Sequence, residues 1–264
     1  MKSRASTILI TTAVSFSLLA IGCGGGGGDS APAADTAGGE TAAQQGPMGT
    51  ASISGTINFT GTAPEPVRLN VDRECADLNN GDPVYSEAVV VNDGTLQWAF
   101  VYVSEGVTGE YSPPAEAVVI DQDGCKYAPH VLGVQTNQTI RVVNSDPLLH
   151  NIHAMPEANR SFNFGMPNVG EREQRFPLEE VMVPIKCDVH PWMGAYAGVV
   201  SHPFYDVSGA DGSFSITGLP AGTYTVTMWH ETYGAQSMEV TVGDGESVTT
   251  DFTVDAASAM SATS

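Results

Sequence analysis

Positively charged residues are scarce in this chain. Of its 264 residues only 10 are Lys or Arg, whereas 30 are Asp or Glu, so the formal net charge is −20. Proteins that bind nucleic acids need clustered positive charge to neutralise phosphates, and the composition therefore argues against a nucleic-acid partner. Aromatic residues make up only 8% of the chain, but the apolar content of 42% is enough to build a core.

Sequence motifs of common enzymes are also missing. The chain contains no G-x-S-x-G, no H-E-x-x-H and no G-x-x-x-x-G-K pattern, and the pair His230-Glu231 lacks the second histidine of a zinc protease motif. Hydrolase and nucleotide chemistry are therefore not indicated. We expect a protein that is not an enzyme.

No apolar run is long enough to span a bilayer. The longest, residues 8–21, follows Lys2 and Arg4 and is shorter than the about 20 residues that a membrane helix needs. It is typical of a signal peptide, here residues 1–22. The run ends in L-A-I-G-C, which resembles a bacterial lipobox and implies cleavage and lipidation at Cys23. An ordinary secretory peptide with an incidental cysteine is the alternative.

Lipidation at Cys23 implies an extracytoplasmic protein, in the periplasm or at the cell surface, that a lipid anchors to the cell membrane or the outer membrane. Loss of residues 1–22 removes two basic residues, so the remaining chain carries 8 basic against 30 acidic groups. Such an acidic surface suits cationic partners.

Long amphipathic helical patterns are absent, and alternating strand patterns take their place. Residues 23–49 are rich in Gly, Ala and Thr and are predicted to be a flexible tether. From Ile53 onwards apolar and polar residues alternate, which predicts an all-β fold. Besides the first strand, the predicted strands are 88–92, 98–103, 117–120, 139–144, 181–185, 195–200, 213–217, 223–229 and 237–242.

The chain has only four cysteines, and their contexts differ. If Cys23 carries lipid, three thiols remain in an oxidising compartment. Cys75 and Cys125 both lie in polar, turn-like sequence, so we expect them to form a disulfide. Cys187 is then left alone, and an unpaired thiol outside the cell needs a metal, a partner or burial.

The surroundings of Cys187 predict a metal site. In the segment from Cys187 to Met193 a thiolate, the imidazole of His190 and a thioether recur at intervals of three. The segment from Asn144 to Asn151 closes an earlier strand, and its His150 offers a second imidazole. His153, three residues later, is the alternative ligand. Two imidazoles, one thiolate and a distant thioether form the ligand set of a blue-copper site. Zinc is disfavoured because a thioether is a poor ligand for it.

These motifs resemble those of the cupredoxins. The pattern N-x-D-x-x-x-H-N ends at Asn151, and C-x-x-H-P-x-M follows it, as in amicyanin-like and plastocyanin-like domains. The resemblance implies a Greek-key β-sandwich over residues 115–202 that binds one type 1 copper ion and transfers single electrons. It also implies that Asn151 ties the two ligand loops together. The implied metal ligands are His150, Cys187, His190 and Met193.

The same resemblance implies where electrons enter and leave. The exposed edge of His190 would be the port, and the partner would be a redox protein such as a c-type cytochrome. The apolar residues around the port would be Pro191, Trp192, Ala195 and Tyr196. For Trp192 and Tyr196 the alternative is core packing beneath the loop.

The C-terminal part carries a second resemblance. Residues 211–226 read as a turn, an alternating strand, a Gly/Pro turn and another strand, and they resemble half of a carboxypeptidase regulatory-like, transthyretin-like β-sandwich. Residues 50–114 and 203–255 would form this sandwich around the inserted copper domain, before a short tail, 256–264. A serial arrangement with an N-terminal extension is the alternative.

From the Ile53 strand to Trp229, the chain resembles bacterial secreted cupredoxin-like proteins that are sometimes labelled methylamine-utilization-like. The label specifies no substrate, because no residue selects one. The sequence leads to a membrane-anchored, single-copper electron carrier. The alternatives are a copper-sequestering protein without redox function and a ligand-binding or adhesive β-sandwich with a structural metal.

Overall fold

The computed structural model describes residues 45–259. The predicted signal peptide, the lipidation site Cys23, most of the predicted tether and the last five residues lie outside this range. Among the described residues, no helix has the length and apolar character needed to cross a bilayer.

Strands dominate the described part of the chain, and the predicted all-β fold is confirmed. Its one α-helix is α1 (Arg73–Leu78), and Ala256–Ser258 forms a 3-10 turn. The strands are β1 (Ala51–Thr60), β2 (Val91–Asn92), β3 (Thr95–Leu96), β4 (Phe100–Glu105), β5 (Val118–Asp123), β6 (Lys126–Ala128), β7 (Val131–Gln135), β8 (Ile140–Asn144), β9 (His150–Ala154), β10 (Phe162–Met166), β11 (Gly170–Gln174), β12 (Glu180–Lys186), β13 (Gly194–Val200), β14 (Tyr205–Val207), β15 (Ser213–Leu219), β16 (Gly222–His230), β17 (Gly234–Val242), β18 (Ser247–Thr249) and β19 (Phe252–Asp255).

Strands from the two ends of the described chain form one sandwich, here called the terminal sandwich. One of its sheets has the order β15-β1-β3-β2, with β18 and β19 also pairing with β1, and the other has the order β14-β4-β16-β17. Alternating side chains of β1, including Ile57 and Phe59, are buried between them. The antiparallel pairing of β1 with β15 joins residues that are more than 150 positions apart.

The strands between Val118 and Val200 form a second sandwich, the central sandwich. Its sheets have the orders β10-β9-β12-β13-β7 and β11-β8-β5-β6. Pairing of β9 with β12 places His153 opposite Lys186, which brings the loop before β9 close to the loop after β12. A second hydrophobic core, which includes Ile120, Val142 and Ile185, lies between these sheets.

The two sandwiches pack through the ring of Phe100. This ring lies against Val131 and Val200 of the central sandwich. Gly198 permits the contact, because a Cβ atom there would lie 2.5 Å from the Phe100 ring.

The predicted tether extends too far along the chain. Residues 45–49 contact the terminal sandwich: Tyr111 donates its hydroxyl to the Pro47 carbonyl oxygen at 2.9 Å, and the Gly49 N–H donates to the Gly218 carbonyl oxygen at 2.8 Å. Their Gly-rich composition suggested a linker, but these backbone groups are paired with the body of the protein.

Candidate metal centre

Three side chains from the two facing loops converge on one buried point. His150 begins β9, Cys187 directly follows β12, and His190 lies between β12 and β13. The Nδ1 atoms of the two histidines are 2.9 Å apart, and Cys187 Sγ lies 3.9 Å from His190 Nδ1. All three donor atoms are within 4.8 Å of one another.

The donor set fits one metal ion. Imidazole nitrogens bind such ions at about 2.0 Å and thiolates at about 2.3 Å, so donors that share an ion lie about 3–4 Å apart. The separations of 2.9 and 3.9 Å match this requirement. The side chains are almost free of solvent contact: relative exposure is 0% at His150, 1% at Cys187 and 6% at His190.

Met193 belongs to the same buried hydrophobic cluster as Cys187 and is 2% exposed. Its N–H donates to the His190 carbonyl oxygen at 2.9 Å, and its own carbonyl oxygen accepts from the Cys187 N–H at 3.2 Å. These bonds close residues 187–193 into a compact loop. The His190 N–H in turn lies 3.3 Å from Cys187 Sγ, which is the geometry of an N–H donor to a thiolate.

Asn151 links the beginning of β9 to the loop that follows β12. Its Oδ1 accepts from the N–H groups of Asp188 at 2.6 Å and Val189 at 3.3 Å, and it lies 3.3 Å from Cys187 Sγ. Its amide group donates to Asn163 at 2.7 Å. Asn151 therefore fixes the start of the 187–193 loop relative to β9.

His153 lies outside the cluster. It is more exposed than His150, and its Nδ1 is 3.0 Å from Asp188 Oδ2. Asp188 also accepts from Asn163 and contacts Lys186. Hydrogen bonds from Asn163, His153 and Lys186 hold the pKa of Asp188 well below its usual range.

Asp146 is a residue of the site that the sequence analysis missed. This buried carboxylate accepts N–H bonds from Gly124 and Cys125, both at 2.9 Å, and its Oδ2 lies 2.8 Å from His150 Nε2. Such a contact on the outer imidazole nitrogen directs Nδ1 towards a metal. The signal was an acidic residue four positions before His150, inside a motif that was read only for its Asn and His.

The electrostatics of the site favour a thiolate. Burial raises the pKa of the Cys187 thiol. The hydrogen bond with His150 and those with three backbone N–H groups lower it by more than burial raises it, so the net pKa is below its ordinary value. Burial lowers the pKa of His150, whereas Cys187 and Asp146 raise it, with a raised net value. A thiolate is the form of cysteine that binds metals.

The predicted disulfide between Cys75 and Cys125 is confirmed. Both residues are fully buried, and each sulfur lies within 4.8 Å of a ring nitrogen of His190. Among the described residues, Cys187 is the one free cysteine, and it is buried.

The predicted exposure of the His190 edge is wrong. Helix α1 and the disulfide cover it, because Asp72 at the N-terminus of the helix brings its Oδ2 to 3.6 Å from His190 Nε2. The placing of Ala195 at the surface is also wrong, because its side chain faces the core from β13 and is 1% exposed.

The other predicted port residues differ in exposure. Pro191 is exposed, whereas Trp192 is partly buried and donates Nε1–H to the Cys125 carbonyl oxygen at 3.1 Å. Tyr196 is partly buried and packs against Trp229, with ring centroids 5.1 Å apart.

Comparison with known proteins identifies part of the terminal sandwich. Residues 199–255 match the family model of the carboxypeptidase regulatory-like domain, which confirms that part of the sequence-based resemblance. The match covers less than half of the chain. No curated protein is similar enough to the chain to match it.

Solved structures similar to the chain include copper proteins, at low similarity. A purple cupredoxin from Nitrosopumilus maritimus is 22% identical, over 31% of this chain and 98% of that one, with a TM-score of 0.27. A reduced amicyanin variant is 20% identical over 38% of this chain and 97% of that one, with a TM-score of 0.29. For the copper-containing nitrite reductase of Thermus scotoductus SA-01 the values are 18% identity, 38% of this chain and a TM-score of 0.30, and this chain spans only 25% of that protein. The function proposed below therefore rests on the geometry of this chain's own side chains.

Proposed function

We propose that this chain is a type 1 copper protein that transfers single electrons outside the cytoplasm. The observation that carries the proposal is the convergence of His150 Nδ1, Cys187 Sγ and His190 Nδ1 on one buried point. Met193 belongs to the same buried cluster as Cys187. Copper bound there would supply a one-electron couple, since sulfur ligands favour Cu(I) and imidazoles suit copper in both states.

The polypeptide around the donors suits electron transfer because hydrogen bonds hold the donor side chains in place. Asp146 orients His150 from one side, and Asn151 fixes the loop that carries Cys187 and His190. Donors fixed in this way would rearrange little when the charge of the site changes. The same buried surroundings would keep water from the site.

Three features of the chain support the proposed location and partner: its disulfide, its lipobox-like sequence and its excess of acidic residues. The buried Cys75–Cys125 disulfide suits an oxidising compartment, and the lipobox-like sequence at Cys23 would tether the protein to a membrane. The excess of acidic residues would attract a cationic redox protein, such as a c-type cytochrome, at low ionic strength. We propose a carrier and not an enzyme.

The carboxypeptidase regulatory-like match favours a second candidate. Residues 199–255 would serve as a ligand-binding or adhesive module, and the metal site would be structural or would sequester copper. A sequestering protein would bind Cu(I) tightly but exchange electrons slowly. An adhesive module would still bind its target when Cys187 is replaced.

Copper titration of the full chain tests the proposal, with cyclic voltammetry of the loaded protein. We expect one copper ion per chain and a reversible one-electron wave. His150→Ala should remove the site, whereas the matched control His153→Ala, on the same strand, should keep it. Copper binding that survives His150→Ala but is lost in His153→Ala would show that the ligands are assigned wrongly. A loaded protein without a reversible wave would favour sequestration.

A further inference from the structure

Helix α1 lies between His190 and solvent. Its N-cap residue Asp72 faces His190 Nε2 at 3.6 Å. Cys75 in its first turn forms a disulfide whose sulfurs lie within 4.8 Å of a nitrogen of the same ring. His190 is the least buried of the three converging donors, yet it is only 6% exposed. Its Nε2 makes no hydrogen bond to any part of the chain that the structure describes, and it points at this helix.

Covalent and polar bonds attach α1 to the central sandwich. A helix of six residues is not stable on its own. The disulfide joins it to Cys125, and Asn79 donates its amide to the Gly124 carbonyl oxygen at 3.0 Å. Leu78 packs against the central core. The helix is therefore a fixed part of the surface above His190.

The outer face of α1 is acidic. Asp72, Glu74 and Asp77 are exposed. The only basic residue of the helix, Arg73, pairs with Asp77 at 3.8 Å in a largely exposed contact that contributes little. The negative charge lies close to a buried imidazole of the donor cluster, since Asp72 Oδ2 is 3.6 Å from His190 Nε2. Charge complementarity then favours a cationic partner.

We propose that Asp72, Glu74 and Asp77 on α1 form the surface on which a cationic one-electron redox protein docks, and that electrons reach His190 across the first turn of this helix. The inference rests on the proposed function. With copper bound at the site, one electron would pass from the reduced partner by way of His190 and convert Cu(II) to Cu(I), or Cu(I) would give one electron to an oxidised partner; no bond forms or breaks. Docking here would replace docking on the loop around Pro191.

Charge reversal on α1 tests the proposal. The variant Glu74→Lys with Asp77→Lys leaves the N-cap Asp72 intact. Its matched control, Glu171→Lys with Glu173→Lys, makes the same change in net charge on β11. That strand lies at one edge of the sheet β11-β8-β5-β6, and the Cys125 turn adjoins the other edge. A milder variant, Glu74→Gln with Asp77→Asn, serves if the lysine variant does not fold.

The probe is a basic c-type cytochrome, and stopped-flow absorbance gives its second-order rate with the copper-loaded chain. At low ionic strength we expect the α1 variant to react about tenfold more slowly, and the β11 control to change by less than about threefold. High salt should remove the difference. Equal slowing in both variants, or slowing in the control alone, would overturn the proposal.

A second readout needs no copper. NMR spectra of the metal-free chain, recorded while the cytochrome is added, should show shifts concentrated at residues 72–78. Shifts concentrated at Pro191 and the loop around it would overturn the docking site, even if electron transfer is fast. If the chain binds no copper, the proposed function fails, and the NMR footprint still decides whether α1 is a docking surface.

Discussion

Replacing Asp146 by Asn should loosen the candidate metal centre, although it changes only one atom. The carboxylate accepts from Gly124 N–H with Oδ1, and from Cys125 N–H and His150 Nε2–H with Oδ2. Asn has a single acceptor oxygen, so in either orientation at least one of these donors faces an NH₂ group. A hydrogen bond to a charged group contributes about 1.5–3 kcal/mol, and we expect a loss of about 2–3 kcal/mol in the free energy of unfolding.

Urea unfolding of the metal-free chain measures this loss, and competition with a copper chelator measures affinity. Since the hydrogen bond between residue 146 and His150 Nε2 is weakened, copper affinity should fall about 10–100-fold. The control is Asp251→Asn, whose carboxylate accepts one exposed bond, from Thr56 N–H at 2.8 Å, that the amide oxygen can keep. The reasoning is refuted if Asp146→Asn, like the control, stays within about 0.5 kcal/mol of the parent chain.

Three further predictions concern the surroundings of the site and the terminal sandwich. Asn151→Ala leaves two backbone N–H groups of the ligand loop without their acceptor, so metal-free stability should fall by about 2–4 kcal/mol in urea unfolding; an unchanged midpoint would contradict this. Cys75→Ser with Cys125→Ser removes the disulfide and opens a loop with a sequence separation of 50. The free energy of unfolding should fall by up to about 4 kcal/mol in the same assay, and hydrogen exchange at residues 72–78 should become faster. Unaltered exchange would show that helix α1 stays in place without the disulfide. Burial lowers the pKa of His230 to about 4, whereas in the unfolded chain this histidine binds a proton near pH 6.5. The free energy of unfolding should therefore fall by about 3 kcal/mol as the pH is lowered from about 6.5 to 4. His230→Gln should remove this part of the pH dependence.

Ten of the nineteen strands in the described residues overlap a predicted strand, because their periodicity is local. The predicted strand 223–229 lies within β16 (Gly222–His230), and the predicted strand 139–144 includes all of β8 (Ile140–Asn144). Strand β9 was missed because the site motif around His150 obscured its alternation, and β11 was missed because its residues are almost all polar. Its backbone pairing with β8 stabilises it, and its own side chains give no such pattern.

The donor set of the site was predictable from spacing, but its cover was not. Short motifs supplied His150, Cys187, His190 and Met193, and the structure brings three of their donor atoms together. Helix α1 reaches His190 from more than 110 positions away along the chain, through packing and the disulfide. No local pattern encodes such a contact, and for this reason the exposure of His190 was predicted wrongly.

The visible absorption spectrum of the copper-loaded full chain, beside that of Cys187→Ser, is the most direct test of a type 1 copper site. A thiolate bound to Cu(II) in this ligand set should give an intense charge-transfer band that is absent from Cys187→Ser. The matched control His153→Ala should keep the band. A colourless copper-loaded chain, or a band that persists without the Cys187 thiolate, would contradict the proposed copper site.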